Sequence, residues 1–344
     1  MLTAYRQALS LPGAWQFSSS AFVARLPISI IGLGIVLFIS TLTGSYALAG
    51  ILSAAFQVSA AGGALVTSRW TDRLGQHRLL PWLAMVHATG LVAFVLAVEA
   101  GLPVPVQALA IAVAGVSQPA IGSMVRARWA HAAQDPAELR SGFALESIVD
   151  ELVFTVGPLV TAFLAFQVAL PLPILVGATL AVAGSLTLAA QRRTEPLPSG
   201  PQHARDIAAG ITPEPRRSAL LLPGMAIIVV GALGVGGVFG TYEVAVVAFT
   251  EQAGASGAAG LVLGLWAAGS LLGGLFFGSR HWRRPLHQQV MLLTGALAIV
   301  LIPAPFVRSI PVLAIGGRRS GEAADDRGHD TKWRRCHPFG RQRR

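Results

Sequence analysis

The sequence predicts an all-α polytopic membrane protein, and three observations lead to this fold class. Only 12% of the 344 residues are charged, against roughly 25% in soluble domains. Apolar windows of about 20 residues, the length that a helix needs to cross the hydrocarbon core, recur along the chain. A large soluble all-α protein is the alternative, but its helices would show a charged face at every turn, and most of these windows lack one.

Nine windows are long enough to be membrane spans. They are expected at about 20–40, 45–67, 79–98, 103–124, 141–164, 167–190, 219–249, 257–278 and 287–307. A tenth apolar stretch begins near Ile310 and is too short to cross the bilayer.

The arginines indicate how these spans are oriented. The turns after spans 1, 3, 5 and 7 contain no positive residue, whereas the segment before span 1 and the loops after spans 2, 4, 6 and 8 all contain arginine. The positive-inside rule therefore predicts a multi-pass protein of the cell membrane with a cytoplasmic N-terminus. The formal net charge of +10 follows from this topology, so we expect no nucleic-acid partner.

Side chains for metal or covalent chemistry are scarce. Cys336 is the single cysteine, so no disulfide forms within the chain. No histidine pair has metal-binding spacing, and we expect His87, in the third span, to be packed and hydrogen-bonded rather than a ligand. No nucleophile–base pair or phosphate loop stands out. We therefore expect no cofactor, no metal and no enzyme activity.

The composition divides the chain into four parts. Residues 1–190 hold six spans, residues 191–218 form a linker rich in Pro, Gly and charge, and residues 219–315 hold three spans and the short stretch. Residues 316–344 form a basic tail with nine of the 26 Lys and Arg residues. If all nine spans cross, this tail lies outside, against the positive-inside rule. Our hypothesis is that the tail is not a native C-terminus; the alternative is an ordinary disordered tail.

The loop after span 2 carries the motif Asp72-Arg73-Leu74-Gly75, followed by Arg78. This pattern resembles the 2–3 loop signature of the major facilitator superfamily, in which it braces the inner gate between the two halves. Ser68 stands where the family usually has glycine. The resemblance implies that Asp72, Arg73, Gly75 and Arg78 form an inner-gate motif.

Span 5 contains Gly157-Pro158, which resembles the antiporter motif of proton-coupled efflux members of that superfamily. Proline removes a helical hydrogen bond and permits a bend, so the pair is a candidate helix hinge; a simple packing kink is the alternative. The trailing glycines of the family motif are absent.

The resemblance implies a major facilitator-type helical bundle of two six-span halves, twelve spans in all, of which this chain supplies about nine. The wider pattern is similar to actinobacterial drug and metabolite efflux permeases. It implies a monomeric secondary transporter that moves small molecules by alternating access, with efflux coupled to protons. The alternatives are an importer of the same family and a C-terminally truncated, inactive fragment.

Four acidic residues within the spans need a role, because a charge at the bilayer centre costs about 2.5–3.5 kcal/mol. Glu146 and Asp150 share a face of span 5, whereas Glu151 points about 100° away from Asp150. We expect Arg25 of span 1 to pair with Asp150 or Glu151, which leaves the other free to titrate. A permanent structural ion pair is the alternative.

Glu243 is the fourth of these acids. It follows a glycine-dense stretch of span 7 and is a candidate for binding a proton or a cationic substrate; an interfacial acid at a helix end is the alternative.

Overall fold

The computed structural model describes residues 6, 8–198, 225–255, 257–279, 288, 291, 292 and 295. Nine α-helices cover most of this part of the chain, and it contains no β-strand. The helices are α1 (Ala14–Thr43), α2 (Tyr46–Leu74), α3 (Gln76–Glu99), α4 (Val104–Val116), α5 (Ile121–Ala132), α6 (Pro136–Gln167), α7 (Leu172–Ala190), α8 (Met225–Gln252) and α9 (Ala258–Ser279).

Seven stretches of the described chain are long and apolar enough to cross a membrane: α1, α2, α3, the α4–α5 pair, α6, α7 and α8. A shorter apolar stretch in α9, Ala258–Ser270, corresponds to the eighth predicted span. The ninth, 287–307, lies almost entirely outside the described residues. The predicted all-α polytopic class is therefore confirmed for the part of the chain that the structure describes.

Local signals explain where several helices begin and end. Gly44 and Gly75 adopt φ angles of 66° and 93°, which glycine tolerates because it lacks a Cβ atom, and each separates two consecutive helices. Asp135 caps α6: its Oδ1 accepts hydrogen bonds from the backbone nitrogens of Ala137 and Glu138 at 2.7 and 2.8 Å. Capping at Asp135 starts this helix before Ser141, where hydropathy alone placed the span.

Helix α1 is the centre of the bundle. It packs against α2, α5, α6 and α7, while α3 packs against α4 and α7. Small residues allow this close packing. A Cβ atom on Gly184 of α7, for example, would lie 2.4 Å from the backbone nitrogen of Ala24. The two helices can therefore approach only because glycine occupies this position.

Among the described residues, the two predicted halves meet mainly where α9 packs along α6. Cβ atoms on Gly260 and Gly264 would lie 2.4 Å from the Ala162 Cβ and 2.9 Å from the Leu159 Cγ. These glycines therefore permit the helices to pack closely. Helix α8 makes smaller contacts with α1 and α2.

We call the end of the bundle that carries the loop at residues 72–78 the motif end, and the opposite end the far end. At the far end the Tyr46 hydroxyl of α2 donates a hydrogen bond to the Glu251 carboxylate of α8. This contact joins the first half to the second half.

The fourth span is interrupted around Pro119, between α4 and α5, and its helix continues to Ala132. Arg126 and Arg128 follow the predicted fourth span, 103–124, and would lie in the loop after it; instead both lie within α5. Arg128 is fully buried, and its guanidinium donates to the carbonyls of Leu188 and Gln191 at 3.0 and 2.8 Å. Its guanidinium thus links α5 to the end of α7.

The first residues of the predicted linker are packed rather than extended into solvent. Arg192–Thr194 form one 3₁₀ turn, and Thr194 and Glu195 are buried. The remaining linker from residue 199 and the basic tail 316–344 lie outside the described residues, and so does most of residues 280–315.

Candidate functional site

Helix α6 brings Glu146 and Asp150 to its face against α1. Asp150 is the fifteenth of the 32 residues of α6, so it lies about 21 Å from the start of the helix and near its middle. Both carboxylates contact Arg25 of α1. This arrangement is a charged network in the interior of the first half.

Glu146 is the most enclosed member of the network. Its side chain is 0% exposed and forms an ion pair with Arg25, whose side chain is 2% exposed. The other carboxylate oxygen accepts hydrogen bonds from the Ser18 hydroxyl and the Trp129 indole nitrogen, both at 2.8 Å. A charge buried this deeply is stable only when it is paired and fully hydrogen-bonded, and Glu146 meets both conditions.

Asp150 is shared between two arginines. Its Oδ1 lies 2.7 Å from the Arg25 Nη1 and its Oδ2 lies 2.9 Å from the Arg126 Nη2. The Asp150 side chain is 34% exposed and that of Arg126 is 41% exposed. Two arginines thus face two carboxylates, and the four charges balance. The sequence predicted a single arginine partner, Arg25, for one of the acids of this helix. It missed Arg126 because α5 extends beyond the apolar window of the fourth span.

Glu151 points away from this network, toward α9. The Ser270 hydroxyl lies 3.5 Å from its Oε1, a distance at the limit of a hydrogen bond. Among the described residues no cation pairs with Glu151. Of the two adjacent acids, Asp150 is therefore the one that Arg25 pairs with in this structure.

Glu243 of α8 lies against α1. Its Oε1 is 3.8 Å from the position that a Cβ on Gly32 would occupy. The carboxylate is partly buried and forms no ion pair with the described residues. Glycine at position 32 leaves room for the acid to approach α1.

The Gly157-Pro158 pair lies about two turns beyond the charged network. Helix α6 is continuous through Pro158. A Cβ atom on Gly157 would lie 1.9 Å from the Ser29 hydroxyl oxygen, and that hydroxyl donates to the Val153 carbonyl at 2.8 Å. Glycine is therefore required here for the contact between α1 and α6, in addition to any role in bending.

The inner-gate motif lies where α2 meets α3. Asp72, Arg73 and Arg78 are exposed, whereas Gly75 is buried beneath the first residues of the linker. A Cβ atom on Gly75 would lie 2.8 Å from the Glu195 Oε1, so a larger residue would displace the linker.

Gln76 and His77, which follow Gly75, form polar contacts beside this motif. The Gln76 Oε1 accepts from the buried Arg128 Nε at 2.7 Å, and the His77 Nδ1 lies 2.8 Å from the Glu195 Oε2. The two residues link the 2–3 loop to α5 and to the start of the linker.

No group of three or more potential metal ligands occurs among the residues that the structure describes. His87 is buried, and its Nδ1 lies 2.7 Å from the Ala114 carbonyl oxygen. His87 is therefore a packed, hydrogen-bonded residue.

Comparison with known proteins decides the family. The model of the Major Facilitator Superfamily matches residues 17–317, which is most of the chain. The chain belongs to the major facilitator superfamily. No curated protein and no solved structure gave a match.

This membership makes the protein a multi-pass membrane transporter of the superfamily, whose members are generally transporters rather than enzymes. Members bind small-molecule substrates within the membrane. The matched region includes Arg25, the acids of α6 and α8, and the motif at residues 72–78, so every candidate site residue lies within the transporter domain.

Proposed function

We propose that this protein is a proton-coupled transporter that exports small molecules from the cell by alternating access. The observation that carries the proposal is the division of its intramembrane acids into two groups. Glu146 and Asp150 are neutralised by Arg25 and Arg126, whereas Glu151 and Glu243 pair with no cation among the described residues.

The two groups suit different tasks. A carboxylate held by arginine remains charged and acts as a structural link. A carboxylate in the membrane without a cation must take up a proton or bind a cationic ligand. We therefore assign proton or substrate binding to Glu151 and Glu243, and a structural role to the Arg25–Glu146 pair.

Proton coupling can be tested without knowing the substrate. The purified chain is reconstituted in liposomes on a solid-supported membrane, and the transient current after a pH jump is recorded. We expect a current that the Glu151→Gln/Glu243→Gln variant reduces at least about fivefold. Glu138→Gln, at the start of the same helix α6, should leave it unchanged. A full current in the double variant would refute this assignment.

Direction is tested in everted membrane vesicles with ethidium, a cationic probe that suits two unpaired carboxylates. Export predicts ethidium uptake into everted vesicles that a protonophore abolishes, whereas an importer predicts uptake only in right-side-out vesicles. The actinobacterial efflux resemblance supports export.

The alternative is a truncated chain that inserts but does not transport. It predicts no pH-jump current and no ethidium uptake from the 344-residue chain, and both signals from a version extended to twelve spans. Activity of the 344-residue chain itself would exclude this alternative.

A further inference from the structure

The first residues of the linker, 191–198, fold back against the first half at the motif end, and we call them the strap. Arg128 of α5 donates to the Gln191 carbonyl and to the Thr194 hydroxyl, both at 2.8 Å. A Cβ atom on Gly13, just before α1, would lie 2.5 Å from the Thr194 Cγ2. The beginning of the strap is therefore held by α5 and by the residue that precedes α1.

Glu195 attaches the strap to the start of α3. Its Oε1 accepts from the backbone nitrogen of His77 at 3.2 Å, and its Oε2 lies 2.8 Å from the His77 Nδ1. Backbone nitrogens in the first turn of a helix have no partner within the helix, and the helix dipole favours an anion there. The Glu195 side chain is only 5% exposed, and a buried carboxylate requires hydrogen-bond donors. Among the described residues, His77 supplies both of them.

The end of the strap has few other contacts. Leu197 is 81% exposed, and a cavity of about 250 Å³ is lined by the last three residues of the strap, by the 2–3 loop and by α5. A Cβ atom on Gly75 would lie 2.8 Å from the Glu195 Oε1 and 3.1 Å from the Pro198 Cγ, so the strap covers this glycine. The contact between Glu195 and His77, rather than apolar packing, therefore holds this part of the strap in place.

His77 is the member of this contact whose charge changes near neutral pH, because histidine is the side chain that ordinarily titrates there. Its side chain is 23% exposed, so water reaches it. A protonated imidazole makes a charge-assisted hydrogen bond to a carboxylate, which is roughly twice as strong as a neutral one. A neutral imidazole retains one N–H, which can still donate from Nδ1. Loss of the proton therefore weakens the contact without abolishing it.

The other charged groups on the elements around this contact do not compete for this role. Arginine and aspartate keep their charge near neutral pH, and the one other histidine on these elements, among the described residues, is the exposed His131 in the last turn of α5. The permanently charged groups are Asp72 and Arg73 of α2, Arg78 of α3, Arg128 of α5, and Arg192 and Arg193 of the strap.

We propose that the strap is a pH-sensitive clamp on the 2–3 loop. Protonated His77 holds Glu195 at the start of α3, so that the strap is fixed between the loop and α5. When His77 loses its proton, residues 195–198 detach. Detachment uncovers Gly75 and lengthens the free connection to the second half. The clamp thus links the pH at the motif end to the freedom of the linker.

The test measures the distance between two nitroxide labels in the purified 344-residue chain by pulsed electron paramagnetic resonance. The labels are placed at Leu197→Cys in the strap and at Arg140→Cys in the exposed first turns of α6, with Cys336→Ser to remove the native thiol. A docked strap gives a narrow distance distribution and a detached strap a broad one. We expect the ratio of broad to narrow populations to rise about fivefold between about pH 5 and about pH 8.

Three variants separate charge from shape. His77→Arg carries a permanent cation and should retain the narrow distribution at every pH. His77→Gln retains a donor without the charge, and should show at every pH the broad fraction that the labelled parent shows at the alkaline end. His131→Gln, which changes the histidine outside the contact, should respond to pH as the parent does. Circular dichroism of each variant checks that its helices are intact.

Three results would overturn the proposal. They are a distance distribution of the parent that does not change with pH, a pH response that persists in His77→Gln, and a response that His131→Gln abolishes. In each case the strap is a fixed part of the first half or is controlled by another group. The measurement needs neither a substrate nor transport, so the proposed function stands or fails separately.

Discussion

Replacing Arg25 tests whether the charged network of the first half is structural. Arg25→Leu leaves the Glu146 carboxylate, which is 0% exposed, with only Ser18 and Trp129 as donors. Removing one member of a buried ion pair costs about 3–5 kcal/mol, and insertion of one charge at mid-bilayer costs about 2.5–3.5 kcal/mol. We therefore expect Arg25→Leu to lower the free energy of unfolding by about 3 kcal/mol.

Two comparisons separate this effect from a general loss of charge. Arg126→Leu removes an ion pair whose side chains are 41% and 34% exposed, so solvent screening limits the loss to less than about 1 kcal/mol. Arg25→Leu combined with Glu146→Leu removes both buried charges, and should recover most of the stability because apolar replacements of a buried pair are often neutral.

The assay is reversible unfolding in mixed micelles, followed by circular dichroism and analysed as a double-mutant cycle. Asp150 retains Arg126 in every Arg25 variant, so the cycle reports on the Arg25–Glu146 pair. An Arg25→Leu loss below about 1 kcal/mol would refute the reasoning, as would a double variant no more stable than Arg25→Leu alone.

Three further predictions concern other contacts. Gly157→Ala should destabilise by about 1–3 kcal/mol because its Cβ would lie 1.9 Å from a serine hydroxyl of α1, whereas Gly231→Ala, with open space around it, should cost nothing in the same unfolding assay. Arg128→Met should cost about 3 kcal/mol or more, because it removes four hydrogen bonds and leaves the Gln76 Oε1 without this donor; the exposed Arg140→Met should change stability by less than about 0.5 kcal/mol. Tyr46→Phe removes the far-end hydrogen bond to α8 and should increase the rate at which cysteines introduced at that end react with a membrane-impermeant maleimide. An unchanged rate would show that this contact does not hold the halves together.

The sequence could predict the spans because hydropathy depends on composition alone. It predicted that Arg25 pairs with Asp150 or Glu151 for a related reason: the cost of an unpaired charge in hydrocarbon requires a partner, and α1 offers an arginine at a suitable depth. Glu146 was placed correctly on the face of Asp150, but its complete burial depends on Ser18 and Trp129, which come from two other helices. Helical spacing within one span carries no information about such partners.

The contacts at the motif end could not be predicted, because helices continue beyond the apolar windows that reveal them. Arg128 lies beyond the fourth apolar window, yet α5 extends to Ala132 and buries it. Glu195 has the composition of a linker, and its contact with His77 depends on how residues 191–198 fold back under the 2–3 loop. Both require tertiary packing that no local pattern encodes.

For the proposed proton coupling, the position of the acids relative to the two halves determines which of them can take part. Arg25, Arg126, Glu146 and Asp150 all belong to the first half, so their mutual distances stay the same if the halves move as rigid bodies. Glu151 instead faces Ser270 of α9, and Glu243 faces α1, each across the boundary between halves.

A proton can shift a conformational equilibrium only if it binds the two conformations with different affinity. An acid whose surroundings move with it has the same affinity in both conformations, and contributes stability rather than coupling. An acid at the boundary between the halves gains or loses neighbours when the halves rock, so its affinity for a proton changes. Coupling is therefore expected to reside in Glu151 and Glu243, and the charged network to hold the helix that carries Glu151 against α1.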